Sequence, residues 1–181
     1  MKIISIKTVD VANGPGCRLT IWVAGCSHHC PGCHNPESHN YNIGTDLNTM
    51  KVWDIVEQEL SRPEIEGLTI TGGDPLDQSN DSLFDLLHFI IKVRYQFPDK
   101  NIWLYTGYDL DDIEKGSLKY IIVHLCDTVV DGPYIEALRD TMLYFRGSSN
   151  QRIIDITDDI KTNVQYYSQQ SVLDELHKLY K

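Results

Sequence analysis

Segments in which apolar and polar residues alternate recur along the chain, and segments with a helical spacing of apolar residues separate most of them. Alternation with a period of two indicates a strand, whereas apolar residues three and four positions apart indicate a helix. On this pattern we predict strands at Lys2 to Val9, Arg18 to Ala24, Gly67 to Thr71, Asn101 to Thr106, Asp127 to Asp131 and Gln151 to Ile156.

Capping residues and helix breakers give the predicted helix ends. The first two helices begin at Asn48 or Thr49 and at Ser79 or Asn80, and Pro63 closes the first. The apolar face of the second runs from Leu83 to Ile91. Two further helices are predicted at Leu118 to Leu125 and at Val172 to Tyr180.

This order of strands and helices is typical of a parallel sheet covered by helices. Ligands of such sheets bind beyond the carboxyl ends of the strands, where the glycine-rich turns of this chain fall. A complete eight-stranded barrel usually takes about 250 residues, so this chain of 181 residues is expected to build only part of one, with about five to six strands. We therefore predict an α/β fold, a partial, open (β/α) barrel of mostly parallel strands, as a single domain over residues 1–181.

Composition and charge exclude several classes of protein. The net charge is −10 and Lys and Arg are not clustered, which argues against binding a nucleic-acid backbone. No run approaches the ~20 apolar residues of a membrane span. The five cysteines are an odd number, and Lys2, Ser5 and Lys7 interrupt what would be an apolar secretory segment. These features predict a protein that stays in the reducing cytoplasm.

Three of the five cysteines lie within eight residues, at Cys26, Cys30 and Cys33, whereas Cys17 and Cys126 lie outside this group. Soft thiolate ligands so close together can hold one face of an iron–sulfur cluster. Structural clusters generally use four cysteines, so a group of three predicts a cluster with one iron open for chemistry.

The ligand types alone leave two other uses open. A zinc site could combine the three cysteines with His28, His29 or His34, and the protein would then be a zinc-stabilised binding module. Cys30-Pro31-Gly32-Cys33 could instead form a thioredoxin-like redox pair, although that motif usually opens a helix and would leave Cys26 unexplained. Neither use accounts for the glycine-rich elements farther along the chain.

The Cys-x3-Cys-x2-Cys spacing resembles that of the radical S-adenosylmethionine enzymes. Further motifs are similar to those of the activases of glycyl radical enzymes, namely Gly14-Pro15-Gly16 with Arg18, Asn35-Pro36 and Thr71-Gly72-Gly73-Asp74-Pro75-Leu76. Within that group, the resemblance is to the activating proteins of anaerobic ribonucleoside-triphosphate reductase, through Thr106-Gly107-Tyr108, Val130-Asp131-Gly132 and Arg146-Gly147-Ser148-Ser149-Asn150-Gln151. It covers about Asp10 to Ile154.

The resemblance implies a site. Cys26, Cys30 and Cys33 are expected to ligate three irons of a [4Fe–4S] cluster, and S-adenosylmethionine to chelate the fourth. The cofactor-binding residues that it implies are Gly32, His34, Gly72, Gly73, Asp74 and Asp131. Family members commonly have another aromatic residue in place of His34, and glutamate is typical of the wider superfamily in place of Asp74.

The resemblance also implies an activity and partners. The expected enzyme cleaves S-adenosylmethionine reductively and generates a glycyl radical on the large subunit of an anaerobic ribonucleotide reductase. A low-potential donor such as flavodoxin is expected to supply the electron. An alternative within the same class is the activase of another glycyl radical enzyme, such as pyruvate formate-lyase.

Overall fold

The structure, a computed structural model, describes residues 1–157 and 159–180, so Asp158 and Lys181 of the predicted single domain lie outside the described residues. Its strands are β1 (Lys2–Asp10), β2 (Cys17–Val23), β3 (Thr45–Asp46), β4 (Ile65–Gly72), β5 (Asn101–Tyr105), β6 (Thr128–Asp131) and β7 (Arg152–Asp155). Its α-helices are α1 (Met50–Leu60), α2 (Asn80–Gln96), α3 (Leu118–Val123), α4 (Ile160–Tyr167) and α5 (Gln170–Leu179).

The strands form one sheet in the order β3-β1-β2-β4-β5-β6-β7. The central strands β2, β4, β5 and β6 are parallel to one another, while β1, β3 and β7 pair in the antiparallel sense toward the edges. The helices α1, α2 and α3 each connect one of these parallel strands to the next. The predicted α/β fold, a partial and open barrel, is therefore confirmed. The seventh strand is the two-residue β3, which is too short to show a periodicity.

The predicted caps of the first two helices occur where the sequence suggested. The Thr49 hydroxyl accepts a hydrogen bond from the Val52 amide, and that of Ser79 accepts one from the Ser82 amide, each at 3.3 Å. Such a side chain satisfies one of the free amides of the first helical turn. The α4 helix was not predicted. Within the described ranges, no helix is both long and apolar enough to cross a bilayer.

The two faces of the sheet differ in chemistry. Alternate residues of the central strands pack with the helices in the core, among them Leu19, Ile21, Leu68, Ile70, Ile102, Leu104 and Val129. The residues between them form what we call the polar face, where Thr20, Thr69, Trp103 and Thr128 lie side by side in register. Arg18 is fully buried there, and its Nε donates to Oγ1 of Thr69 at 2.7 Å. The inside of the partial barrel is therefore polar.

Two loops cover part of the polar face. The β1–β2 loop (residues 11–16) supplies the Asn13 carbonyl, which accepts a hydrogen bond from the Thr69 hydroxyl at 2.8 Å. The β6–β7 connection (residues 132–151) supplies the Phe145 carbonyl, which accepts one from the Tyr105 hydroxyl at 2.8 Å. Each loop is thus fastened to a central strand.

Candidate functional site

Four parallel strands end at the same edge of the sheet, and the segments that follow them contain most of the predicted site residues. Their last residues are Val23, Gly72, Tyr105 and Asp131. The cysteines follow the first of these ends, and Gly73 and Asp74 follow the second. The fold therefore brings together groups that lie up to about a hundred residues apart in the sequence.

The cysteine loop (residues 24–35) leaves β2 and presents three free, half-buried thiols, those of Cys26, Cys30 and Cys33. The Cys33 amide donates to the Cys30 carbonyl at 3.0 Å, closing a turn. Gly32 within this turn has φ +71°, a conformation that glycine adopts without strain. Three free thiols on one short loop are the type of ligand that an iron–sulfur cluster takes.

The surroundings of Cys26 disfavour its thiolate in the absence of a metal. Burial, together with the nearby carboxylates of Asp74 and Asp77, raises the pKa of the Cys26 thiol to about 11. The uncharged thiol is therefore favoured at neutral pH until a cation is present. Iron would supply the positive charge that stabilises the thiolate.

The glycine pair packs directly against the cysteine loop. The Gly73 amide donates to the Val23 carbonyl, and the Asp74 amide donates to the Gly25 carbonyl, both at 2.8 Å. A Cβ on Gly73 would lie only 2.3 Å from the Gly25 carbonyl oxygen. Gly72 has φ +111°, where a side chain is disfavoured. Both glycines thus have a packing role, and their contact with a cofactor stays a prediction.

Asp74 is almost completely buried, and its carboxylate is surrounded by donors from the protein. It accepts hydrogen bonds from the amides of Leu76 and Gly107, each at 2.8 Å, and from the Thr106 hydroxyl at 3.0 Å. A fourth partner is Nε2 of His28, at 2.8 Å. This carboxylate connects β4, β5 and the cysteine loop, and its predicted role in binding the cofactor stays a prediction.

His28 lies between Cys26 and Cys30 and is held on two sides. Its hydrogen bond to Asp74 raises the pKa of the imidazole above its ordinary value. The ring makes an edge-to-face contact with Tyr108, with centroids 4.9 Å apart. From the sequence, His28 was predicted only as a possible zinc ligand, since its carboxylate partner lies 46 positions away and leaves no local pattern.

Asp77 also anchors the cysteine loop, and this role was not predicted from the sequence. Its carboxylate accepts hydrogen bonds from the Ser27 amide and from the hydroxyls of Tyr41 and Tyr108, the last two at 2.8 and 3.0 Å. Burial alone would raise the pKa of Asp77, but these hydrogen bonds outweigh it and lower the pKa to about 2. The only sequence signal was an acidic residue shortly after the glycine pair.

Two of the possible zinc ligands, His28 and His29, have other partners. Ligand atoms of Cys26, His28 and Asp77 lie within 4.8 Å of one another. However, His28 is hydrogen-bonded through Nε2, and Asp77 has three donors of its own. Nδ1 of His29 lies 3.0 Å from Nδ1 of His39. These contacts engage His28, His29 and Asp77, whereas His34 is exposed on the same loop as the three cysteines.

The remaining predicted residues take different places. Gly32 and His34 are exposed on the cysteine loop. Asp131 ends β6 at the same edge but is fully buried, and its carboxylate pairs with Arg152, whose Nε lies 3.0 Å away. It also accepts a hydrogen bond from the Leu110 amide at 2.9 Å. The predicted cofactor contacts of Gly32, His34 and Asp131 stay predictions.

The motif from Arg146 to Gln151 is a compact turn. The Gln151 side-chain oxygen accepts a hydrogen bond from the Gly147 amide at 2.9 Å, and Asn150 Nδ2 donates to the Pro133 carbonyl at 2.7 Å. The first contact closes the turn within the motif, and the second ties the end of the β6–β7 connection to its beginning. The motif therefore fixes the path of this connection beside the site.

Comparisons with known proteins agree with this geometry. Residues 12–154 match a family described as a 4Fe-4S single cluster domain. The anaerobic ribonucleoside-triphosphate reductase-activating protein of Escherichia coli K12 is 39% identical over 145 residues, which are 79% of this chain and 91% of that protein.

The chain belongs to the anaerobic ribonucleoside-triphosphate reductase-activating protein family.

Two further members of this activating-protein family are similarly related to the chain. The protein of that name from Enterobacteria phage T4 is 41% identical over 156 residues, covering 86% of this chain and 94% of the phage protein. The protein of that name from Haemophilus influenzae is 38% identical over 162 residues, covering 84% of this chain and 97% of the Haemophilus protein. The resemblance to the activating-protein family is confirmed. The zinc module and the pyruvate formate-lyase activase receive no support from these matches.

Proposed function

We propose that this protein is a radical S-adenosylmethionine activase that generates a glycyl radical on anaerobic ribonucleoside-triphosphate reductase. The observation that carries the proposal is the cysteine loop, whose three half-buried thiols stand at the carboxyl edge of the sheet beside the glycine pair. Membership in the activating-protein family supports the same reaction.

The cysteines of the loop are proposed to hold the cluster. Cys26, Cys30 and Cys33 would each bind one iron, leaving the fourth to S-adenosylmethionine. A cluster bound in this way supplies one-electron chemistry that cleaves the carbon–sulfur bond of the cofactor and allows a hydrogen atom to be taken from a glycine of the partner. Asp74 and Asp77 fix the loop through His28 and Ser27, so that the thiols are positioned before iron arrives.

The other predicted site residues divide into two groups in this proposal. Gly32, Gly72 and Gly73 offer backbone without side chains, and the exposed ring of His34 is available to stack on adenine. Asp74 and Asp131 are buried and bonded to other protein groups, so we propose that they position the site. Neither carboxylate needs to touch the cofactor for this role.

The partners follow from the reaction. The large subunit of the reductase would present the glycine, and a low-potential protein such as flavodoxin would provide the electron. An oxygen-sensitive cluster and free thiols also require reducing surroundings, so we propose that the protein works in the cytoplasm.

Product analysis tests the proposal. Anaerobically reconstituted protein is incubated with S-adenosylmethionine and dithionite, and we expect 5′-deoxyadenosine and methionine from the wild type but not from Cys26→Ala. With reductase added, electron paramagnetic resonance should detect a glycyl radical doublet that is not formed on pyruvate formate-lyase. Absence of cofactor cleavage would contradict the activity, whereas the opposite partner preference would contradict only the assigned partner.

A further inference from the structure

Lys119 lies over the ring of Tyr108, next to the cysteine loop. It belongs to the first turn of α3 and is half-buried, and its Nζ lies 3.7 Å from the centroid of the ring. An ammonium in this position is attracted by the negative face of the aromatic ring. The contact therefore holds a positive charge in a defined place.

Tyr108 is joined to the cysteine loop at two points. Its ring contacts that of His28 edge-to-face, with centroids 4.9 Å apart, and its hydroxyl donates to Asp77 at 3.0 Å. Ligand atoms of His28 and Asp77 lie within 4.8 Å of one another and of the Cys26 thiol. One aromatic ring and the groups that touch it thus connect the Lys119 ammonium to a proposed ligand of the cluster.

The charge of Lys119 acts on these groups through space. Burial lowers the pKa of Lys119, whereas the carboxylates of Asp74 and Asp77 favour its charged form. The same ammonium opposes the rise in the pKa of His28 that Asp74 causes. Both carboxylates act on Lys119 without a hydrogen bond to it. The positive charge of Lys119 is therefore shared by the site as a whole.

The proposed site otherwise has an excess of negative charge. Three thiolates would bind the cluster beside the carboxylates of Asp74 and Asp77, and reduction of the cluster adds one more electron. Negative charges near an iron–sulfur cluster lower its reduction potential, and positive charges raise it. A cationic side chain at this place makes it easier for a donor to reduce the cluster.

The chain contains a second contact of the same kind, away from the site. Nζ of Lys92 lies 3.6 Å from the centroid of the Trp53 ring. Lys92 is in the fourth turn of α2, about 18 Å along the helix from Asn80, which follows Asp77 by three positions. Of the two lysines, Lys119 is the one whose charge interacts with carboxylates of the site.

We propose that Lys119 sets the reduction potential of the cluster, because its positive charge, held over the Tyr108 ring, stabilises the reduced state. It acts as a positioning residue through its neighbours and does not touch the cofactor. This inference rests on the proposed function, since it needs a cluster at the three cysteines.

Redox titration tests the inference in the anaerobically reconstituted full-length protein, without S-adenosylmethionine. Electron paramagnetic resonance measures the fraction of reduced cluster. Lys119→Gln should have a more negative midpoint potential than the wild type, with the equilibrium constant for reduction lower by about threefold or more, because a nearby charge is removed. Lys119→Arg keeps the charge and stacks on aromatic rings, so it should retain the wild-type potential. Lys92→Gln removes a matched contact and should also leave the potential unchanged.

Further measurements separate the outcomes. If the wild type assembles no cluster, the proposed function itself is overturned. If the cluster is present and Lys119→Gln leaves its potential unchanged, only the inference about Lys119 is refuted. A lower affinity for S-adenosylmethionine at an unchanged potential would show that Lys119 contacts the cofactor, which also refutes it.

A second uncharged variant, Lys119→Met, is titrated in parallel, so that the result does not depend on one substitution. It should have the same negative shift of the potential as Lys119→Gln. Iron content and urea unfolding report cluster assembly and stability in each variant. Failure of both uncharged variants to assemble a cluster would show that Lys119 is required for assembly instead, which contradicts the proposal.

Discussion

Nε2 of His28 lies 2.8 Å from Oδ2 of Asp74, although the two residues are 46 positions apart in the sequence. This contact joins the segment between the first two cysteines to the segment after the glycine pair. It places the imidazole of His28 against the backbone of Gly107, where an added Cβ would come within 2.7 Å of the ring. The cysteine loop is therefore held in part by a histidine that need not bind iron.

Replacing His28 by Ala should weaken both the fold and the retention of iron. The substitution removes one partner of a buried carboxylate, which costs about 1–3 kcal/mol. Urea unfolding of the iron-free protein under anaerobic conditions measures the loss, and iron analysis after reconstitution measures the effect on the site. His34→Ala is the matched control because His34 is an exposed ring on the same loop. An equal loss in both variants would show that the contact with Asp74 is unimportant.

Single substitutions can show which cysteines bind the cluster. Cys26→Ala, Cys30→Ala and Cys33→Ala should each prevent assembly of a stable [4Fe–4S] cluster, because two thiolates hold it poorly. Iron and sulfide content and the absorption of the reconstituted protein report the result.

Two substitutions outside the loop serve as controls for the cysteines. Cys17→Ala and Cys126→Ala should retain the cluster, since Cys17 begins β2 at the opposite end of the sheet and Cys126 is buried with its thiol donating to the Ile122 carbonyl. Loss of iron in either control with retention in Cys26→Ala would overturn the ligand assignment.

Gly73→Ala should disturb the cysteine loop itself. The new Cβ would lie 2.3 Å from the Gly25 carbonyl oxygen, so the loop must shift. Overpacking of this kind typically costs about 1–3 kcal/mol, and we expect the iron content to fall along with stability. Gly116→Ala is a useful comparison, because its φ of +82° strains a side chain although nothing lies within 4 Å. Normal iron content in Gly73→Ala would show that the close approach is tolerated.

Asp10 should make stability depend on pH in the acid range. Burial alone would raise its pKa, but hydrogen bonds from Asn13, Ala12 and Lys7 outweigh this and lower the pKa to about 2. A carboxyl whose pKa is lowered on folding contributes stability above its ordinary pKa, near 3.8. That stability is lost as the pH falls from about 4 to about 2.

Asp10→Asn tests this dependence. The variant should be less stable by about 1–2 kcal/mol at neutral pH and should lose less stability than the wild type on acidification. Unfolding curves of the iron-free protein at a series of pH values provide the measurement. Asp46→Asn, with a side chain that is 63% exposed, should behave like the wild type. Parallel pH profiles for wild type and Asp10→Asn would contradict the role of Asp10.

Much of the fold could be predicted because most of its strands and helices have a recognisable pattern in the local sequence. The strand predicted at Arg18 to Ala24 differs by one residue at each end from Cys17–Val23, and α2 begins after the predicted cap at Ser79. The strand Thr45–Asp46 could not be predicted, since its two residues are defined only by pairing with β1. The antiparallel pairing of β7 is equally a property of the assembled sheet.

The site was predicted less completely than the fold. The cysteines and the glycine pair are visible in the sequence because their spacing is short. The bonds of Asp74 to His28 and of Asp77 to Ser27 span 46 and 50 positions and have no local pattern. The candidate ligands could therefore be predicted from the sequence, but the roles of Asp74 and Asp77 in holding the loop could not. Asp74 was predicted to bind the cofactor, and its hydrogen bonds to other parts of the protein were not foreseen.

The anchoring of the cysteine loop has a consequence for repair after exposure to oxygen. Asp74 and Asp77 hold the cysteine loop through hydrogen bonds in which iron takes no part. A molecule whose cluster has been oxidised and lost should therefore keep the loop in place rather than unfold. Such a molecule is ready to accept new iron and sulfide, so each chain can outlast many of the clusters that it carries.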